Sequence, residues 1–159
     1  MNPWQRLQQN HALEHATMYI LAHTTPGLRV YALSDWAGFS VFGELETSAL
    51  IDAVSAALQA LRSGNLTLAQ HPRCGTNLAL PLGLAGGLVL TALSLPARYH
   101  YTQAALMMLA GGVVGARKPL SRKLQQVMTR ISDLDGAAIR SVERHTAGSC
   151  LMHRVSISY

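Results

Sequence analysis

The sequence predicts an α+β fold: a small mixed helix/sheet cytoplasmic domain carrying an inserted two-helix transmembrane hairpin. Three observations lead there. The 159 residues are 49% hydrophobic and only 13% charged, so the apolar content presses on what one small core can hide. Residues 78–95 contain no charged side chain. Short runs rich in Val, Tyr and Phe precede that stretch, weaker strand candidates follow it, and segments of helical periodicity lie on both sides.

Residues 3–22 read as a helix with Pro3 in its opening turn. Trp4, Leu7, His11, Glu14, Met18 and Leu21 recur at spacings of three and four, one stripe along one face. Thr24-Thr25-Pro26-Gly27 ends it. Residues 28–33 and 39–45 read as strands, with 34–38 turning the hairpin between them. A helix opening at Thr47 or Ser48 turns Leu50, Val54, Leu58 and Leu61 inward and stops before Gly64. Residues 66–70 are a third strand candidate.

Residues 78–95 then nearly span a hydrocarbon core of roughly 30 Å at a rise of about 1.5 Å per residue, with Pro81 tolerated in the first turn. Residues 97–103 form a loop, and 104–116 a second, shorter apolar run that Tyr101 and snorkelling Arg117 and Lys118 extend. Gly83 and Gly87, and Gly111 and Gly115, have the small-xxx-small spacing that lets helices approach closely. Arg98 is the one Lys or Arg between the two runs, so the positive-inside rule puts both termini in the cytoplasm. The expected location is the inner (cytoplasmic) membrane, multi-pass, with the lipid bilayer as partner; a buried helical hairpin is the alternative. Residues 120–130 read as a basic amphipathic helix, and 139–144 and 151–157 as strands completing the sheet. The organisation is therefore 1–77, an N-terminal α+β part; 78–116, the hairpin; and 117–159, the amphipathic helix and last strands.

The net charge of +5 and the basic isoelectric point near 9.7 do not point to nucleic acid, because the basic residues flank apolar stretches and do not interleave with aromatics. Cys74 and Cys150 read as reduced, and the first residues lack the apolar core of a signal peptide.

The chemistry-bearing feature is His11-Ala12-Leu13-Glu14-His15. On a helix, residues four apart stand one turn above each other, so two imidazoles reach one metal ion, and the glutamate between them can take a proton from water. His11 and Glu14 also occupy a stripe that mere packing would make apolar, and buried polar groups need partners. Either a metal or a structural His–Glu pair satisfies that need. Zinc requires a further ligand: His71 and Cys74 are the first candidates, Glu44 and Glu46 the next. The segment 71–77 has a plainer reading too, with Cys74 packed and Thr76 or Asn77 capping the next helix. A Cys74 nucleophile with His71 or His11 as base lacks an orienting third residue. His23, His100, His145 and His153 read as surface or loop histidines.

Asn10-His11-Ala12-Leu13-Glu14-His15-Ala16-Thr17, the stretch from Gly38-Phe39 to Gly43, and His71-Pro72-Arg73-Cys74-Gly75-Thr76-Asn77 resemble an uncharacterised family of small bacterial membrane proteins, a domain of unknown function associated with cyanobacteria and green non-sulfur bacteria. That resemblance covers most of the chain and implies no activity. Separately, residues 11–15 resemble the active motif of inverted-zincin peptidases, which implies His11 and His15 as metal ligands and Glu14 as general base. The expected function is a membrane-anchored zinc-dependent hydrolase, a metallopeptidase acting on a protein or peptide at the cytoplasmic face. The alternative is a non-catalytic accessory or assembly subunit of a larger membrane complex, with a structural His/Glu/Cys cluster.

Overall fold

Helix α1 (Pro3–Thr24) begins where the sequence supplies a reciprocal cap. Asn2 Oδ1 accepts the Gln5 N–H at 2.8 Å while Gln5 Oε1 accepts the Asn2 N–H at 2.9 Å, and Pro3 follows in a position that needs no N–H. The computed structural model describes residues 1–70, 76–129, 131, 134–147 and 150–159, and groups them into two units, Met1–His71 with Val127–Tyr159 and Pro72–Gln126.

In the first unit, strands β1 (Tyr31–Asp35), β2 (Gly38–Phe42), β3 (Ala138–Ala147) and β4 (Cys150–Ser158) form an antiparallel sheet in the order β1-β2-β4-β3. Residues directly opposite in an antiparallel ladder share a face. Phe39 lies opposite both Ser34 and Val155, and Val41 opposite both Ala32 and His153, so these side chains line one face. Phe39, Val41, His153 and Val155 are fully buried there, together with α1 and helix α2 (Thr47–Arg62). Leu50, Val54, Leu58 and Leu61 of α2 all enter this core, as their spacing predicts. Arg62, at the end of α2, donates to the carbonyls of Leu134, Asp135 and Ala137 at 3.0, 3.2 and 2.5 Å, tying down the chain just before β3.

The β1–β2 turn is tighter than the sequence suggests, with only Trp36 and Ala37 between paired Asp35 and Gly38. Asp35 Oδ1 accepts the Ala37 N–H at 2.8 Å, closing a local Asx-turn. Gly38 is required: its φ is +151°, and a Cβ would collide with the Val155 carbonyl oxygen on β4.

Residues 66–70 are no strand. Gly64 and Asn65 hold the chain in a turn, Thr67 Oγ1 donates to Asn65 Oδ1 at 2.6 Å, and Leu66–Ala69 winds into a single 3₁₀ turn.

The second unit holds helices α3 (Thr76–Ser94) and α4 (His100–Gly115), a hairpin joined through a short 3₁₀ turn (Ala97–Tyr99), with α5 (Arg117–Met128) following. Ala85, Ala92 and Ala110 are buried, and Gln103 Nε2 donates to the Leu95 carbonyl at 2.9 Å across the turn. This hairpin is not the transmembrane element that residues 78–116 predict. Among the described residues no helix is long and apolar enough to cross a membrane. The 16 residues of α4 reach about 24 Å against a core of roughly 30 Å, and the first four are His100, Tyr101, Thr102 and Gln103. In α3, Thr91 and Ser94 interrupt the apolar run near its C-terminal end. The multi-pass inner-membrane location, and the placement of the termini derived from it, fall with the span. What stands is a small mixed helix/sheet protein.

Candidate metal centre

Every residue of α1 from Gln8 to Thr17 is buried. The sequence stripe predicts one inward face; the structure buries the middle of the helix all round, polar residues included. A carboxylate or imidazole withdrawn from water needs a compensating contact. His11, Glu14 and His15 are 8%, 7% and 2% exposed, so the question bears on all three.

Their donor atoms converge. One ligand-capable atom from each of His11, Glu14 and His15 lies within 4.8 Å of the other two. The imidazoles meet edge to face, with centroids 4.4 Å apart and planes at 65°. The i, i+4 spacing stacks the rings, and Glu14 at i+3 joins the same side.

Two contacts from outside the helix orient the cluster. His15 Nδ1 lies 2.7 Å from the Ala69 carbonyl oxygen, which can only accept, so Nδ1 carries a proton and, in the neutral ring, Nε2 the lone pair. A metal-ligating histidine has this arrangement, its second nitrogen held by a carbonyl. The Ser34 hydroxyl donates to Glu14 Oε2 from the core face of β1.

A further set of contacts fixes β1 against α1. The Tyr159 hydroxyl donates to Asn10 Oδ1 at 2.5 Å, and Asn10 Nδ2 donates to the Asp35 carbonyl at 2.8 Å. Arg154 grips the Asp35 carboxylate with two hydrogen bonds of 2.8 Å and reaches Ser40 Oγ at 3.2 Å. Burial alone would raise the Asp35 pKa, but the Arg154 hydrogen bond and charge, with the Ala37 and Gly38 N–H groups, hold it below the usual carboxylate range. Burial pushes the Tyr159 phenol well above its ordinary value, against a smaller opposing effect of Arg6, so it stays a donor to Asn10.

Of the residues singled out in the sequence, His11, Glu14 and His15 come together. Glu44 and Glu46 are exposed and stand outside the group. His71 and Cys74 lie outside the described residues. Ser34, Ala69, Arg154 and Tyr159 carry no local signal of this role, since each reaches its partner across a long sequence separation, whereas Asn10 sits in the Asn10–Thr17 motif and Asp35 in the 34–38 turn. His153 is no surface histidine: it is fully buried on β4, its Nε2 lying 3.0 Å from Thr47 Oγ1. The alternation of His153, Val155 and Ile157 along the strand is the signal that could have placed it inward. Burial drives its imidazole pKa below the usual value, assisted by the Arg144 charge and opposed by Glu46.

Residues 6–142 match the family described as Domain of unknown function (DUF6391). The chain is also similar to an uncharacterised protein of the cyanobacterium Picosynechococcus sp., 35% identical over 150 residues that cover 88% of this chain and 73% of the relative. No solved structure matches. With most of its length matched, from α1 into β3, the chain belongs to the DUF6391 family.

Proposed function

We propose that His11, Glu14 and His15 form a divalent-metal centre and that the protein is a metal-dependent hydrolase, peptidase-like in mechanism, with zinc as the ion. The observation carrying this reading is the convergence of three buried donor atoms within 4.8 Å, with His15 oriented through Nδ1 by the Ala69 carbonyl. The two imidazoles suit zinc in ligand type and softness, and the carboxylate beside them suits a general base. A zinc ion there would supply Lewis acidity and ease the deprotonation of water. His11 and His15 would hold the ion, with His71 or Cys74 as the further ligand that zinc needs, and Glu14 would take a proton from water. Ser34 sets the orientation of that carboxylate.

Metal analysis of purified protein tests this, comparing wild type with His11→Ala, His15→Ala and Glu14→Gln. The expected result is zinc near one equivalent in wild type and Glu14→Gln, with loss in both histidine variants and peptide hydrolysis abolished in Glu14→Gln. A metal-free wild type after zinc loading ends the reading.

A second reading is a non-catalytic accessory subunit of a larger assembly, in which the cluster holds the fold. The near-complete burial of all three side chains and the Ser34 contact to Glu14 favour it. Loss of folding in Glu14→Gln, with no hydrolysis by wild type, would select it.

A further inference from the structure

Glu14 is covered by a strand that a single neighbouring strand holds. Its carboxylate is buried, and the Ser34 hydroxyl of β1 lies against Oε2. β1 ends the sheet order β1-β2-β4-β3, so among the described residues it is paired along one edge alone. Its outer face is bare as well, with Tyr31 60% and Leu33 64% exposed. A terminal strand of this kind is the least costly part of a sheet to displace, since one ladder has to open and no core lies on its outer side.

The metal reading requires a displacement of that kind. A general base must reach water, and a peptide must reach the ion. In the closed fold none of His11, Glu14 and His15 is more than 8% exposed. The Ala69 carbonyl cannot be the part that withdraws, because it holds His15 in the tautomer that binds an ion. The cover over Glu14 is free of that duty, and it is β1.

One residue ties β1 down from two directions. The Asp35 carboxylate accepts two hydrogen bonds of 2.8 Å from Arg154 on β4, which reaches past β2 to make them. The Asp35 backbone carbonyl accepts Asn10 Nδ2 at 2.8 Å from α1, one residue before His11. A forked guanidinium–carboxylate contact is directional and charge-assisted. The Arg154 and Asp35 side chains are 21% and 41% exposed, so this tie can be undone at the surface, without unpacking the core.

We propose that Asp35 is the clasp that keeps β1 closed over the metal centre, and that its release lets β1 swing off Glu14 to admit ion and substrate. The inference rests on the reading of His11, Glu14 and His15 as a metal site and gives that site its gate.

Zinc transfer from the loaded full chain to an excess of a chromophoric chelator tests it. Asp35→Asn and Arg154→Gln should each release zinc about ten-fold faster than wild type, as loss of one charge-assisted pair implies, with circular dichroism unchanged. The double variant should be no faster than either single one, because both remove the same contact. Leu61→Ala, which lowers stability by emptying part of the core at α2, should release zinc at the wild-type rate. In the metal-free chain, hydrogen exchange should quicken at the β1 amides of Asp35→Asn and stay unchanged at those of β3. Clasp variants that hold zinc as long as wild type does, or a Leu61→Ala as fast as they are, would overturn the proposal; so would β1 amides that exchange at the wild-type rate in Asp35→Asn. A wild type that takes up no zinc would instead end the metal reading, and the gate with it.

Discussion

Ser34 donates its hydroxyl hydrogen to Glu14 Oε2, reaching from the core face of β1 to the buried middle of α1. Glu14 is 7% exposed, so this donor replaces part of the hydration that burial removes. Ser34→Ala should therefore destabilise the protein by about 1–3 kcal/mol, the usual penalty for stripping a partner from a buried polar group. Urea denaturation of wild type and variant measures it. A change within the error of the midpoint would show that the contact has no energetic role.

His153 gives the fold a pH dependence of definite sign. In the unfolded chain its imidazole takes up a proton near 6.5; in the fold, burial and Arg144 delay that uptake to lower pH, Glu46 opposing. Between the folded value and 6.5 the unfolded state binds more protons, so stability rises with pH across that window. The contribution is complete above about pH 6.5 and is lost as pH falls through the folded pKa. Urea midpoints at about pH 7.5 and pH 5.5 should differ in wild type and differ less in His153→Gln.

Phe39 sits fully buried on β2, flanked by Ser34 on one side and Val155 on the other. Phe39→Ala should cost about 3–5 kcal/mol through lost transfer energy and a residual cavity. Because both neighbouring strands meet at this residue, the variant should also loosen the Ser34–Glu14 contact. Hydrogen exchange of the β1 amides, compared with those of β3, would reveal whether the loosening is local.

Gly38→Ala probes the backbone instead of the core. At φ +151°, with a Cβ aimed at the Val155 carbonyl, alanine has no accessible position without moving β2 or β4. A loss of about 1–3 kcal/mol in thermal or chemical unfolding is expected from strain alone. Retention of wild-type stability would mean that the β2–β4 pairing yields more readily than the register suggests.

Helix α2 was readable in advance because its apolar residues keep a single period and meet a single surface; Leu50, Val54, Leu58 and Leu61 are all buried. In α1 the same reasoning found the helix but misjudged its surroundings, since the middle is enclosed on every side and polar residues are buried with the apolar ones. Periodicity reports contrast between faces and carries no signal where contrast is absent. The strands were legible from their composition, whereas 66–70 was not: its leucines imitate strand alternation, but Gly64 and Asn65 fix a turn first. The hairpin helices were legible as helices. Their assignment to a bilayer failed because, among the described residues, no helix is both long and apolar enough to cross one. At the candidate site, the spacing of His11, Glu14 and His15 was sufficient to place them on one side of a helix. Ser34 and Ala69, which orient them, come from other elements, and only the tertiary fold brings those near.

The strand order also constrains how the molecule is made. β2 is zipped on one side to its immediate neighbour β1, but its other edge waits for β4, and the Ser40–Arg154 contact joins residues 114 apart. During synthesis that edge of β2 stays open while the whole of the second unit emerges. Closure of so distant a pair is slow by its chain entropy. A nascent chain of this protein therefore carries an unpaired strand edge until β4 is made, the kind of exposure that the finished sheet closes.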